Sequence, residues 1–456
     1  MRHGRFSGEA AKIAQHYSES VSFDWRLYRY DIAGSLAHAA ALAAAGIISP
    51  NELAEIEHGL RAIEEEINRG EFVWKPELED LHMNIESSLT SGIGAAGAKL
   101  HTARSRNDQI ALDLRMFARF ETGEVQHGLR ELQRALLEVA EAHRDAIMPG
   151  YTHTQRAQPI LFAHHLLAHL EALERDHARL QDGLARINVM PLGSGALAGS
   201  TIVLDRQLIA DRLGFPALSR NSLDAVGDRD FVAEMLFALA LIGVHLSRLS
   251  EDIILWTTTE FGFATLSDDY STGSSLMPQK KNSDMAELTR GRTGRLVGNL
   301  VALLTTLKGL PTSYQRDLQE DKEPLFDSID AVKAALVVLS GLVRGMAIHD
   351  AVMEKAACDP MLLATDLAEY LVRKGLPFRE AHDVVGRLVR DASCALDQIP
   401  FERLRETSYF FEADVAEVFN VRQSLVRRTA PGAPSPANVA VELERWRNVL
   451  ASNLSS

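Results

Sequence analysis

Cysteine is almost missing from this chain. Its two, Cys358 and Cys394, have no C-x-x-C spacing. That excludes a zinc knuckle and a disulfide framework, and reads as reduced, buried thiols. Proline is scarce as well: 15 in 456 residues, about 3 %, against a usual ~5 %, so long unbroken helices are open to the chain. An excess of basic charge is lacking, since 48 Lys and Arg stand against 62 Asp and Glu, a formal charge of −14. A general nucleic-acid surface needs the opposite balance, whereas an anionic small molecule stays possible, because a few Arg and Lys focus a local positive field. A long apolar run is lacking too. The longest, MLFALALIGV at 235–244, falls short of the ~18 residues needed to span a bilayer and reads as a buried helix of a soluble protein. The opening MRHGRFSGEA has positive charge but no apolar run behind it, so no signal peptide is expected, and the expected compartment is the cytoplasm. Strand signals are nearly absent.

What is present is helical periodicity. In 124–147, Leu129, Leu132, Leu136 and Val139 recur at spacings of three and four, with Glu131, Arg134, Glu138 and Glu141 on the wet side. Segments 159–187, 229–259, 285–308 and 328–348 carry similar patterns, each longer than the ~11–12 residues of a mean helix. Several such helices in succession imply an all-α fold with an extended bundle. The middle of 229–259 is apolar nearly all round, which places it at the bundle centre and favours oligomerisation. Shorter helices are expected at 26–46 and 51–69, the latter capped by Ser49 or Asn51. After about 355 the pattern shortens, with Pro360, Pro377 and Pro400 as punctuation. The expected division is an N-terminal helical domain (1–103), a central bundle domain (104–354) and a C-terminal helical domain (355–456).

Four segments are too polar and irregular for packing. HTARSRNDQ (101–109) sets Arg104 and Arg106 beside Asn107, a set suited to carboxylates; its plain alternative is a solvated helix start. GYTHTQRAQP (150–159) offers Thr152 and His153, or is only a capped loop before a helix at 159. SYQRDLQEDKEPL (313–325) offers Tyr314, Gln319 and Lys322, or is a charged surface turn. GSSLMPQKKNSD (273–284) is the most telling. Gly273 permits unusual backbone angles, Pro278 removes a donor, Ser274 and Ser275 bring hydroxyls and Lys280 a mobile charge. A solvated loop does not need LMP beside the charges or a helix straight after Asp284; a loop that closes over a ligand does. Two patterns mislead. GSGALAG (193–199) has neither dinucleotide-loop spacing nor strand–helix alternation around it. His165 and His169 stand at i, i+4 without the acidic neighbour of a zinc helix, and read as buried or bundle-facing.

GSSLMPQKKNSD closely resembles the signature loop of the aspartase/fumarase superfamily, and its QKKN form resembles the argininosuccinate lyase and delta-crystallin branch. HTARSRNDQ and GYTHTQRAQP resemble that branch's other two signature regions. SVSFDWRLYRYDIAGSLAH, EDLHMNIE (79–86), NSLDAVGDRDF (221–231) and YQRDLQEDKE (314–323) match in kind and order, so the resemblance covers essentially the whole chain. One departure is Ser283, where the family's K-K-N-P has proline.

The resemblance implies reversible β-elimination of argininosuccinate to arginine and fumarate, in arginine biosynthesis, with no metal or organic cofactor. It implies a homotetramer with a twenty-helix core, whose active sites take the three signature regions from three subunits, and no nucleic-acid or membrane partner. It makes Ser274 the base and Lys280, helped by Asn282, the stabiliser of the doubly negative aci-carboxylate. Thr152 and His153 fall on the acid side, with Glu287 fixing the His153 tautomer. Ser20, Asp24, His82, Arg106, Asn107, Arg229, Tyr314, Gln319 and Lys322 become substrate contacts, Asp24 suited to an ammonium. The rival readings are an adenylosuccinate or fumarate lyase, a lens-type structural crystallin, and a nucleic-acid or scaffold binding module. The QKKN loop argues against the first, the retained Ser274, Lys280, His153 and Asp24 against the second, and the acidic charge against the third.

Overall fold

The computed structural model describes residues 11–391 and 393–452. The opening decapeptide, where a signal peptide was not expected, lies outside the described residues. The chain divides into two compact units: 1–127, 176–243 and 292–333 form the first, and 128–175, 244–291 and 334–456 the second.

The fold is all-α. Five long helices run Arg106–Ala142, Phe162–Ile187, Asp230–Trp256, Asp284–Leu307 and Lys322–Arg344. The last starts earlier than its apolar pattern, because Pro324 sits in the first turn, where a missing N–H breaks no helical bond. The first starts directly after the polar HTARS. Tyr28–Ala44 and Pro50–Asn68 match the shorter expected helices. Ser49 caps the second: its hydroxyl accepts from the Glu52 N–H (3.3 Å), while the Glu52 carboxylate accepts from the Ser49 N–H (2.8 Å).

In the first unit Ala37, Ala41, Leu112, Met116, Ile209 and Phe215 form a core. In the second, Leu367, Leu371, Val385, Leu388 and Phe411 do the same for the C-terminal helices. Helix Asp230–Trp256 is, among the described residues, the one helix long and apolar enough to cross a membrane, and just over half of its apolar window is buried in the chain. The run seen at 235–244 is therefore the middle of a longer apolar stretch.

Two expectations are corrected. Cys358 and Cys394 are both exposed free thiols, because each stands at an irregular helix end and not on a core-facing stripe. And 147–161 is a β-hairpin, not a capped loop running into a helix: Ile147–Thr152 pairs antiparallel with Gln155–Leu161, and the helix starts only at Phe162.

Candidate functional site

The chemistry-bearing residues separate by unit. Ser20, Asp24, His82, Arg106, Asn107, Arg229, Tyr314, Gln319 and Lys322 lie in the first; Thr152, His153, Ser274, Lys280, Asn282 and Glu287 lie in the second.

In the first unit the polar groups are deeply set. Ser20 and Asp24 are buried, and the Ser20 hydroxyl donates to Asp24 Oδ2 (2.6 Å) while the Leu81 N–H donates to Oδ1 (3.2 Å). Burial pushes the Asp24 carboxyl up to about 6, against the pull of Ser20, His82 and Lys322. One residue on from Leu81, His82 donates from Nδ1 to Asp31 Oδ1 (2.8 Å). Arg106 opens the longest helix and pairs with Asp80 (3.0 Å), leaving its guanidinium half-exposed. Asn107 donates to the Ala196 carbonyl (3.0 Å). Arg229 is fully buried, with Nε on Asp321 and Nη2 without a partner among the described residues. Lys322 donates to the other Asp321 oxygen (2.9 Å). Two buried cations thus share one carboxylate, which leaves positive charge over for an anionic ligand. Tyr314 is half-buried near Arg229 and Asp80, its phenol pushed up by burial. Gln319 donates to the Glu19 carbonyl (3.4 Å).

The glycine-rich loop at 193–199 has a structural reason. Asp108 Oδ2 accepts from the N–H groups of Gly193 (2.9 Å) and Gly195 (2.8 Å), so the loop clamps the helix start that carries Arg106 and Asn107. Gly195 takes positive φ, and a Cβ there would lie 2.7 Å from the Gly199 oxygen.

In the second unit the residues are exposed. His153 and Thr154 are the two turn residues of the hairpin, at φ 54° and 58°. That is a type I′ turn, usually made by Asn-Gly, and for a β-branched Thr it is strained by about 1–3 kcal/mol. The strain displays Thr152 and His153 at the hairpin tip, both exposed. The Ser274 loop is a second, smaller hairpin. Thr272–Gly273 pairs with Lys281–Asn282, and Ser283 stands just before helix Asp284–Leu307, its carbonyl accepting the Glu287 N–H (3.0 Å). Ser274 Oγ accepts two backbone N–H groups, from Leu276 (3.2 Å) and Met277 (3.0 Å). Two donors on one hydroxyl oxygen favour its deprotonated form. The neighbouring lysines differ. Lys281 is tied to the Leu266 carbonyl (2.6 Å) and Asp268 (2.7 Å), whereas Lys280 is exposed and has no side-chain partner among the described residues. Asn282 is half-buried and Glu287 exposed. No hydrogen bond joins His153 to Glu287 among the described residues.

His165 and His169 are mostly buried, and both donate from Nε2 to Asp252 Oδ2 (2.7 and 2.9 Å). Asp252 comes from another helix, which a scan along one helix misses. Burial opposes the Asp252 charge, but the two imidazoles outweigh it and hold the carboxyl below its usual range. By donor type this is, among the described residues of the second unit, a trio that could hold a metal ion. Missed altogether were the buried acids Asp31, Asp113 and Asp321. The available signal was an Asp on the apolar face of a helix, as in Tyr28–Ala44 and Arg106–Ala142.

Comparison with known proteins places the chain in a family. The chain matches the family described as Lyase over residues 4–298 and that described as Argininosuccinate lyase C-terminal over 361–426. It is 50 % identical over 450 residues to the argininosuccinate lyase of Pelotomaculum thermopropionicum, covering 98 % of each chain. It is 51 % identical over 450 residues to that of Nitrosomonas europaea, again over 98 % of each. The solved structure of EDDS lyase in complex with formate is similar in fold, with a TM-score of 0.87 at 30 % identity, over 99 % of this chain and 92 % of that one. With near-complete coverage at this identity, the chain belongs to the argininosuccinate lyase family.

Proposed function

We propose that this protein is a carbon–nitrogen lyase that cleaves argininosuccinate reversibly to arginine and fumarate, in the cytoplasm, as a step of arginine biosynthesis. The observation that carries the reading is the match of about half of all residues over 98 % of the chain to relatives named for that reaction. Breaking the C–N bond requires a proton to leave the carbon beside a carboxylate, and the charge then spreads into that carboxylate as an aci-form. Ser274 takes the proton, its oxygen already facing two N–H donors. Lys280, the unpaired member of the lysine pair, meets the aci-carboxylate, with Asn282 beside it. Thr152 and His153 protonate the leaving nitrogen, and Glu287 fixes the His153 tautomer. No metal or organic cofactor takes part.

The catalytic residues of the second unit are exposed in a single chain, and elimination needs a site closed to water. Other chains supply the cover. In the assembly each chain is an N-terminal domain (1–103), a central bundle (104–354) and a C-terminal domain (355–456). Five long helices from each of four chains make a twenty-helix core. The apolar surface supports this. Helix Asp284–Leu307 leaves Leu288, Val297, Val301 and Leu304 exposed, and its Gly291, Gly294 and Gly298 face open space. Phe237 and Val244, one face of Asp230–Trp256, are exposed too. Stripes of this kind mark helices that pack against another copy. Glu287 then reaches His153 from a neighbouring subunit.

The test is absorbance of fumarate on adding argininosuccinate, with adenylosuccinate and malate as controls. Fumarate from argininosuccinate alone is expected; fumarate from another substrate, or none, overturns the reading. A second expectation concerns Asp24. Its carboxyl titrates near 6, so the anion that holds an ammonium is present above that pH and lost below it. The inhibition constant of arginine should therefore rise about tenfold per pH unit below 6. That of fumarate, which has no ammonium, should not show this limb. Parallel profiles for the two inhibitors would remove Asp24 from ammonium binding.

A further inference from the structure

The first unit contains two buried carboxyls on one imidazole, and the elimination chemistry accounts for neither. Asp31, on helix Tyr28–Ala44, and Asp113, on helix Arg106–Ala142, are 2 % and 0 % exposed. The helices approach closely at Gly34, where a Cβ would lie 2.9 Å from the Leu112 side chain. Asp31 Oδ1 accepts from His82 Nδ1 (2.8 Å) and from the Gln109 amide. Asp113 Oδ2 is 3.7 Å from the same His82 nitrogen, and neither Asp113 oxygen has a hydrogen-bond partner among the described residues. Two carboxylates cannot both stay ionised here. Burial and the Asp31 charge push the Asp113 carboxyl well above its usual range, while Asp31, although burial opposes its charge, is held below it by His82, Arg104 and Gln109. Asp31 is the anion and Asp113 the neutral acid.

His82 is thereby fixed at one end. Nδ1 is taken by Asp31, Nε2 has no hydrogen-bond partner among the described residues, and the ring keeps 5 % exposure. The groups facing it are the carboxylates Asp31 and Asp80 and the neutral acid Asp113, with Asp24 beside Leu81, while Arg104 faces the two deep acids. Burial works against the imidazolium, but these carboxylates outweigh it, led by Asp31, and the ring is pushed up to about 9.

We infer that Asp31 is a positioning residue: by accepting from Nδ1–H it sets the second N–H of His82 to receive the α-carboxylate at the amino-acid end of the substrate, whose ammonium sits at Asp24. Asp24 and His82 then form a clamp for a zwitterion, their opposite charges brought together at Leu81, whose N–H donates to Asp24 and whose next residue is His82. The inference rests on the reading of the first unit as the substrate-binding half. Asp113, already neutral, takes no part in binding.

Two readouts test it. The first needs no substrate: exchange of the His82 ring C2 hydrogen, followed by mass spectrometry across pH in the assembled enzyme. The wild-type midpoint is expected near 9. In Asp31→Asn it should fall by about one unit or more, and in the isosteric Asp113→Asn it should stay within a few tenths. The second readout compares inhibition by arginine and by agmatine, which is arginine without its α-carboxylate. At pH 8, Asp31→Asn should weaken arginine roughly tenfold or more, the worth of a charge-assisted hydrogen bond, and agmatine much less. Melting curves accompany both. A purely structural Asp31 would shift the melting curve and weaken both inhibitors alike. Equal weakening, an unmoved midpoint in Asp31→Asn, or an equal fall in Asp113→Asn overturns the inference alone. A wild-type enzyme that neither cleaves argininosuccinate nor binds arginine overturns the functional reading with it. Should Asp31→Asn fail to assemble, His82→Asn carries the same comparison. Loss of arginine binding with agmatine spared supports the clamp, and equal loss sinks it.

Discussion

Lys280→Met is expected to cost on the order of 10³ or more in kcat, because in the proposed mechanism it removes the ammonium that meets the negative charge of the aci-carboxylate. That charge develops only in the transition state, so KM should move little. The neighbouring Lys281→Met is the control that the structure provides. Lys281 is a tether: its ammonium sits between the Leu266 carbonyl and Asp268 at the base of the loop, and its loss should loosen the loop and leave kcat within about tenfold of wild type. Steady-state kinetics on the two variants, with melting curves, separates the roles. If Lys280→Met raises KM and spares kcat, Lys280 is a binding residue only. If Lys281→Met is the dead variant, the roles of the two lysines are reversed. The contrast is sharp because the residues are adjacent and chemically identical, so only their partners differ.

Much of the fold was legible because long helices carry a redundant signal. Leu129, Leu132, Leu136 and Val139 each repeat the same information, and no single residue decides the reading. The hairpin at 147–161 was not legible, because its turn breaks the local rule. His-Thr at positive φ gives no turn signal, and the strand beyond it blends into the apolar start of the next helix at Leu161 and Phe162. Local propensity failed where the backbone is strained to display a side chain, which is a common property of functional positions. The candidate residues were found through motif order. Their partners were not: Asp113 and Asp252 lie outside the motifs, and Asp31 and Asp321 lie within the quoted stretches without being singled out. A buried acid on an apolar stripe looks like noise in one dimension. Its meaning depends on the imidazole or guanidinium packed against it: Asp31 on His82, Asp252 on two histidines, Asp321 on Arg229 and Lys322. The resemblance singled out Lys280 over Lys281, but the physical difference between them was not legible, since it is made by a carbonyl fifteen residues away.

Arg106→Ala and Ser274→Ala, each inactive alone, are expected to rescue each other to about a quarter of wild-type activity when unfolded mildly together and reassembled. Ser274→Ala should lose roughly 10²–10⁴ in turnover as a removed base, and Arg106→Ala should lose the helix-start guanidinium that is half-exposed beside Asp80. In the proposed assembly a site takes Arg106 from one subunit and Ser274 from another. It is whole only when its Arg106 comes from the serine variant and its Ser274 from the arginine variant. With equal mixing and free exchange each condition is met half the time, which gives about a quarter of sites intact in a closed symmetric oligomer. Were both residues supplied by one chain, every site would lack one of them in any mixture. The pairing matters, because both residues must be needed for the same turnover and neither may be needed for folding. Native mass spectrometry establishes that hybrid tetramers have formed, and fumarate release reads the rescue. Activity near a quarter supports sites shared between subunits. Activity that stays at the background of the separate variants, with hybrids present, rules them out and places the whole reaction within one chain.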